Sequence, residues 1–221
     1  KKIGNSAFGS VVHKEGKVYV SGGNDRKVYA LNAEDGKEIW SFQAMSTTCS
    51  SPFVDEDTVY CSSQDGRVYA LNLEDGKKKW EYNTRWTIYG NPAVKDGVVC
   101  IPAGTSLFGL DAEKGTKLWS HQTRSSIYYV APAIENDMVY VGSNDHNMYA
   151  VELKTGKEVW KFKSKGVIYT SPIVLDGVIF VADSGGYVSA LSSETGTKYW
   201  DFNTRGNIQY CSPALMGDTI Y

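Results

Sequence analysis

Apolar and polar residues alternate along most of the chain. "KVYVSGG", "RVYALNL" and "KEVWKFKS" put Val, Tyr, Leu and Trp at alternate positions, the period of a strand with one buried face. The runs are short and are cut by turn phrases such as "EDGK", "KTGK", "KDG" and "QDG". Nowhere does a 3.6-residue apolar period coincide with helix caps, so the pattern predicts strands and no helix.

Two phrases recur in register. "ALNAEDGKEIW", "ALNLEDGKKKW", "GLDAEKGTKLW", "AVELKTGKEVW" and "ALSSETGTKYW" end on Trp40, Trp80, Trp119, Trp160 and Trp200, at steps of 40, 39, 41 and 40 residues. Between them run "SSPFVDEDTVY", "NPAVKDGVVC", "APAIENDMVY", "SPIVLDGVIF" and "SPALMGDTIY", with Pro52, Pro92, Pro132, Pro172 and Pro213. A period of this length carrying four short strands describes a propeller blade. The expected fold is an all-β propeller of four-stranded antiparallel blades, with blades at about 6–45, 46–84, 85–123, 124–164 and 165–204 and a partial sixth at 205–221. Val11 takes the proline's place in the first blade. The surplus strand and a half favours an open arc of a larger propeller over a five-bladed ring with a displaced terminal strand. An open arc would leave blade edges through which copies could self-associate.

A glycine stands four residues before each tryptophan: Gly36, Gly76, Gly115, Gly156 and Gly196. The hairpin between the third and fourth strands needs positive φ at one residue, which Gly supplies at little cost. Trp40, Trp80, Trp119, Trp160 and Trp200 are read as structural. Each would dock on the neighbouring blade and supply about 1.5–3 kcal/mol of burial.

"AEDGKEIW" and "LKTGKEVW" resemble the tryptophan-docking motif Ala-x-Asp-x-x-Thr-Gly-Lys-x-x-Trp of PQQ-like repeats, and the resemblance covers essentially the whole chain. The motif's aspartate survives only as Asp111, the other repeats holding Asn32, Asn72, Glu152 and Ser192. Thr-Gly occurs as such at Thr155–Gly156 and Thr195–Gly196. The family includes quinoprotein alcohol dehydrogenases and the propeller lipoprotein of the outer-membrane assembly machinery. The resemblance implies six to eight blades and an extracytoplasmic location. WD40 repeats share the period, but their Gly-His and Trp-Asp dipeptides are not in the expected places.

Composition narrows the function. With 23 basic and 25 acidic residues and a pI near 6.0, the chain lacks the basic footprint of a general nucleic-acid binder. No apolar run reaches the length of a membrane span. No signal peptide is visible, and Lys1 in place of Met suggests a trimmed amino terminus.

In a blade whose strands follow in order, the loops between blades share one rim with the loops joining second to third strands. This upper rim varies more than the short turns opposite, and such loops usually carry function. Three residues before the anchor prolines come Tyr89, Tyr129, Tyr169 and Tyr210, with Phe8 and Cys49 at the same place. Arg85, Arg124 and Arg205 recur after Thr, with Lys163 or Lys165 in the fourth blade. The bland reading has these aromatics wedging the channel and these cations pairing with Asp65, Asp145 or Asp183. The functional reading is a shallow site for an anion, sugar or peptide. Trp86 occupies no repeat position and is the best single contact candidate.

Enzyme signatures are mostly missing. PQQ-dependent dehydrogenases carry adjacent disulfide-bonded cysteines, a calcium site and an aspartate base. Here Cys49, Cys61, Cys100 and Cys211 are separate, and no acidic cluster matches. Haem-attachment, EF-hand, Gly-x-Ser-x-Gly and P-loop phrases are absent, and His13, His121 and His146 fall in different blades. "VDEDT" reads as a solvated acidic turn. Cys61 and Cys100 should point to opposite strand faces as free buried thiols. The preferred reading is a non-enzymatic scaffold with a protein partner and no cofactor or metal. A small-ligand sensor domain comes second and a dehydrogenase fragment last.

Overall fold

The computed structural model describes residues 9–48, 50–209, 212, 215–216 and 219–220. The fold is a β-propeller of four-stranded antiparallel blades, five complete and a sixth in part. Blade one is β1 Val12–Lys14, β2 Lys17–Ser21, β3 Lys27–Asn32 and β4 Glu38–Gln43. Blade two is β5 Phe53–Asp55, β6 Thr58–Ser62, β7 Arg67–Asn72 and β8 Lys78–Asn83. Blade three is β9 Ala93–Lys95, β10 Val98–Ala103, β11 Ser106–Asp111 and β12 Lys117–Gln122. Blade four is β13 Ala133–Glu135, β14 Met138–Gly142, β15 Asn147–Glu152 and β16 Glu158–Lys163. Blade five is β17 Ile173–Leu175, β18 Val178–Ala182, β19 Tyr187–Ser192 and β20 Lys198–Asn203. The partial sixth is the pair β21 Leu215–Met216 and β22 Thr219–Ile220. Phe8, Cys49, Tyr210, Cys211 and Pro213 lie outside the described residues.

The core lies between blades. One cluster joins Tyr19, Val28, Ala30 and Trp40 of blade one to Val59, Cys61, Tyr69 and Leu71 of blade two, and similar clusters follow at later junctions. The alternation therefore buries both faces of the middle strands. The fourth strands are mostly exposed, with tryptophan the buried position in β8 and β12.

The tryptophans are aimed by a local irregularity. In every complete blade the third and fourth strands shift register just before Trp, so that Ala70 faces Trp80 while Leu71 faces Lys78. Such a bulge twists the strand and re-directs a side chain. Four of the rings then cross to the next blade. Trp40 Nε1 donates to the Leu73 carbonyl at 3.0 Å, Trp80 to Ala112 at 2.8 Å, Trp119 to Leu153 at 2.8 Å and Trp160 to Ser193 at 3.0 Å. Each of these rings lies on the turn glycine of the blade it reaches. A Cβ on Gly76, Gly115 or Gly196 would stand 2.6, 2.5 and 2.6 Å from Trp40, Trp80 and Trp160, and one on Gly156 would meet Trp119. The turn glycines thus serve twice, once for φ between +67 and +69 and once as a flat seat. The two ends of the series differ: Trp200 is 46% exposed, and a Cβ on Gly36 would meet none of the described residues within 4 Å.

A second stitch runs through the loop residues just before the first strands. The Ser10 N–H donates to Ser51 Oγ, Ser51 N–H to Asn91 Oδ1, Ala131 N–H to Ser171 Oγ and Ser171 N–H to Ser212 Oγ. Where Ala131 offers no side-chain acceptor, the Asn91 N–H donates to the Val130 carbonyl instead, at 3.3 Å.

Cys61 and Cys100 are free, buried and in different inter-blade clusters. Burial pushes the Cys61 thiol up to about 12 and the Cys100 thiol higher still, so both stay protonated.

His121 is a liability in acid. It sits at the junction of blades three and four, 5.3 Å from the Tyr149 ring, with Nε2 buried without a hydrogen bond and 3.6 Å from Glu158 Oε2. Burial lowers its pKa, and the opposing pull of Glu158 does not make up the difference. The unfolded chain then binds a proton more readily than the folded one. The stability due to neutral His121 is complete above the ordinary value of about 6.5 and declines as the pH falls below it. Urea unfolding at pH 7.5 and 5.5 should show a larger loss for the natural chain than for His121→Gln.

Candidate interaction site on the upper rim

The upper rim is built by hydrogen bonds between the two kinds of loop. Inter-blade loops bond back to the blade they leave, as Thr84 N–H does to the Gly66 carbonyl at 2.8 Å and Thr123 N–H to Thr105 at 2.9 Å. They also receive bonds from the blade they enter: Gln64 N–H to Thr47, Gly104 N–H to Thr87, Asn144 N–H to Ser126 and Ser184 N–H to Val167. The threonine of each Thr-Arg pair belongs to this scaffold. Thr84 and Thr123 are buried, and their hydroxyls donate to the Gly66 and Thr105 carbonyls at 3.0 and 2.9 Å. Beneath the rim, Ile88, Ile127 and Ile168 are fully buried.

The arginines that follow point outward. Arg85 and Arg205 sit at φ +66 and +62, each with its N–H on the preceding asparagine side chain. Among the described residues, the guanidinium groups of Arg85, Arg124 and Arg205 make no ion pair. The aspartates expected to neutralise them are engaged elsewhere. Asp65 pairs with Arg67 at 2.7 Å. Asp145 accepts from the backbone N–H of Arg124 at 3.0 Å, from Asn147 and from the Tyr149 hydroxyl at 2.6 Å. Burial raises the Asp145 pKa, but these hydrogen bonds outweigh it and hold the carboxyl below its usual range. Asp183 is buried and takes the N–H groups of Gly185 and Lys165 and the Ser164 hydroxyl. Lys163 donates to the Asp145 carbonyl, and Lys165 stacks over Tyr187 at 3.7 Å and lies 3.5 Å from Asp201.

Trp86 is 49% exposed but is not loose. A Cβ on Gly104 would lie 2.8 Å from its ring, so the indole rests on that glycine, which holds φ +56. The β10–β11 turn is Gly104–Thr105 alone, whereas the matching loops hold four or five residues. The missing space is filled by Trp86. The same contraction makes the step from Trp80 to Trp119 one residue short of 40, the visible sign that blade three differs.

On the two inter-blade loops that flank blade three, Tyr89, Tyr128 and Tyr129 form a cluster with ring centroids 5.2, 5.3 and 6.3 Å apart. Alignment on the prolines points to Tyr129 and not to Tyr128. The loop from Ile127 to Pro132 is one residue longer than that from Ile88 to Pro92, so Tyr128 follows the buried isoleucine as Tyr89 and Tyr169 do, and Tyr129 comes one place later. Tyr129 is 50% exposed at φ +61, a conformation that costs a bulky residue energy. The loops thus bring Arg85, Trp86, Tyr89, Arg124, Tyr128 and Tyr129 onto the adjoining inter-blade loops either side of blade three. Tyr169 and Arg205 belong to loops further round, and Tyr210 lies outside the described residues.

Among the described residues there is no group of three His, Cys, Asp or Glu side chains that could hold a metal ion, and no helix long and apolar enough to cross a membrane.

A family model described as outer membrane protein assembly factor BamB matches residues 4–126 and again 125–221. No curated protein gives a match. Among solved structures, the computationally designed Ika8 protein superposes with a TM-score of 0.86 at 14% identity, over 97% of this chain and 67% of that one. BamB from Moraxella catarrhalis gives a TM-score of 0.63 at 18% identity, over 97% of this chain and 81% of that one. A quinohemoprotein alcohol dehydrogenase from Comamonas testosteroni gives 0.77 at 18% identity, and there this chain spans only 43% of the other.

Proposed function

Because the chain belongs to the PQQ-repeat family described as outer membrane protein assembly factor BamB, we propose that it is a non-enzymatic scaffold that binds a protein partner through its upper rim, outside the cytoplasm. The observation that carries this reading is the patch around blade three. Two large aromatic side chains, Trp86 and Tyr129, are half exposed on the loops that flank blade three, and the same loops carry Arg85 and Arg124, which make no ion pair among the described residues. Aromatic residues and arginine are the types that dominate the energy of protein interfaces. The patch stands on a hydrogen-bonded frame, so little ordering is needed on binding.

A photo-cross-linking residue at position 86 or 129, tested in the native host, should give discrete protein adducts. The same residue in the opposite turns, at Asp96 or Asp176, should give none. Adducts at the lower turns only, or at no position in a folded chain, would refute an upper-rim interface.

A further inference from the structure

The near-neutral net charge of −2 conceals a separation of charge along the propeller axis. In the complete blades, the turns joining first to second and third to fourth strands hold twelve carboxylates against five cations. Those turns form the lower rim. Opposite them, the inter-blade loops carry four cations, Arg85, Arg124, Lys165 and Arg205, and no carboxylate. The loops joining second to third strands add Arg26 and the four aspartates Asp25, Asp65, Asp145 and Asp183.

Position strengthens the contrast. All four aspartates are turned into the rim and are held by local donors, such as the Lys27 N–H and Tyr29 hydroxyl on Asp25. The four inter-blade cations are exposed. A partner approaching the upper rim therefore meets cationic groups first, and the two loops that carry Arg85 and Arg124 also carry Trp86 and Tyr129. A partner approaching the other rim meets carboxylates.

We propose that the upper rim recognises an acidic segment of a protein partner, one that carries aromatic or apolar residues among its carboxylates and lies across the blade-three patch. This rests on the upper-rim reading above and adds the chemistry of the partner. Carboxylates would pair with Arg85 and Arg124, whose fork of donors matches them. Apolar residues would cover Trp86 and Tyr129. The charge separation would turn the basic rim toward an acidic partner before contact and would repel that partner from the acidic rim.

The test uses the 221-residue chain and three fluorescein-labelled peptides of equal length. One alternates Glu and Tyr, and the others replace Glu by Gln or Lys. Anisotropy should show binding of the Glu peptide and not of the Gln peptide, weakening as salt rises, and any binding of the Lys peptide to the acidic rim should be unaffected by Arg85→Ala with Arg124→Ala. Arg85→Ala with Arg124→Ala should weaken it by about tenfold. Arg85→Lys with Arg124→Lys should restore much of the salt-dependent part, Trp86→Ala should weaken binding at every salt concentration, and Asp176→Asn on the lower rim should change nothing. Circular dichroism checks that each variant is folded. Equal binding of the Gln peptide, insensitivity to salt, or full binding by the double Ala variant would overturn the proposal. So would binding to phosphatidylglycerol vesicles with none to the Glu peptide, which would point to a membrane surface. If the Glu peptide fails while cross-links at 86 and 129 persist, the acidic partner is wrong and the interface stands. If the cross-links fail too, both fall.

Discussion

Trp119→Ala is expected to destabilise the folded chain by about 3–5 kcal/mol, the range for deleting a buried aromatic side chain. The ring is 7% exposed, lies on Gly156 and donates to the Leu153 carbonyl at 2.8 Å. Its loss opens a cavity between blades three and four and leaves a buried carbonyl without its partner. Trp200→Ala removes the same residue from the same place in the repeat but should cost about 1 kcal/mol or less, because that ring is 46% exposed. Urea or guanidinium unfolding of the two variants measures the contrast. Similar losses for both would show that the tryptophans stabilise within their own blades and that the contact across the junction contributes little.

Gly115→Ala and Gly36→Ala should differ although their backbones do not. The two glycines hold φ +68 and +67, so alanine pays the same left-handed strain at both, about 1–2 kcal/mol. At Gly36 the new methyl meets none of the described residues within 4 Å, whereas at Gly115 it would stand 2.5 Å from the Trp80 ring. Overpacking of that kind adds about 1–3 kcal/mol. The excess should shrink in the Trp80→Ala background, because the methyl then has room. A double-mutant cycle on melting or denaturant midpoints reads this coupling directly. Equal costs at Gly115 and Gly36 would mean that these glycines matter for conformation alone.

Much of the fold is legible in the sequence because propeller blades repeat their local requirements. Alternation marks the strands, and the Gly-to-Trp spacing marks the turn that joins the last two. The second role of those glycines is not legible, because the ring that needs them comes from the preceding repeat. The bulge before each tryptophan is likewise hidden, since Lys79 or Leu118 continues the apparent strand without interruption. The candidate site was legible in part. Trp86 stood out as unrepeated, but its glycine support required the three-dimensional meeting of two loops. The prolines fix one register and the buried isoleucines another, so alignment on the prolines points to Tyr129 and not to Tyr128. The cations of the Thr-Arg pairs were visible. That Asp65, Asp145 and Asp183 serve Arg67, backbone amides, Tyr149 and Ser164 depends on side-chain direction, which spacing does not encode.

The Trp86–Gly104 contact also limits how this protein can be recombined. A transplanted unit that starts at Pro92 leaves Trp86 behind, and Gly104 would then face whatever residue the host loop supplies. A unit that starts at Thr84 and runs to Gln122 carries both partners, though Trp119 still needs a glycine in the following repeat. For gene duplication or laboratory shuffling, the heritable module of blade three therefore begins in the connecting loop, before its first strand. Libraries cut at the prolines should be enriched in failures at this one junction.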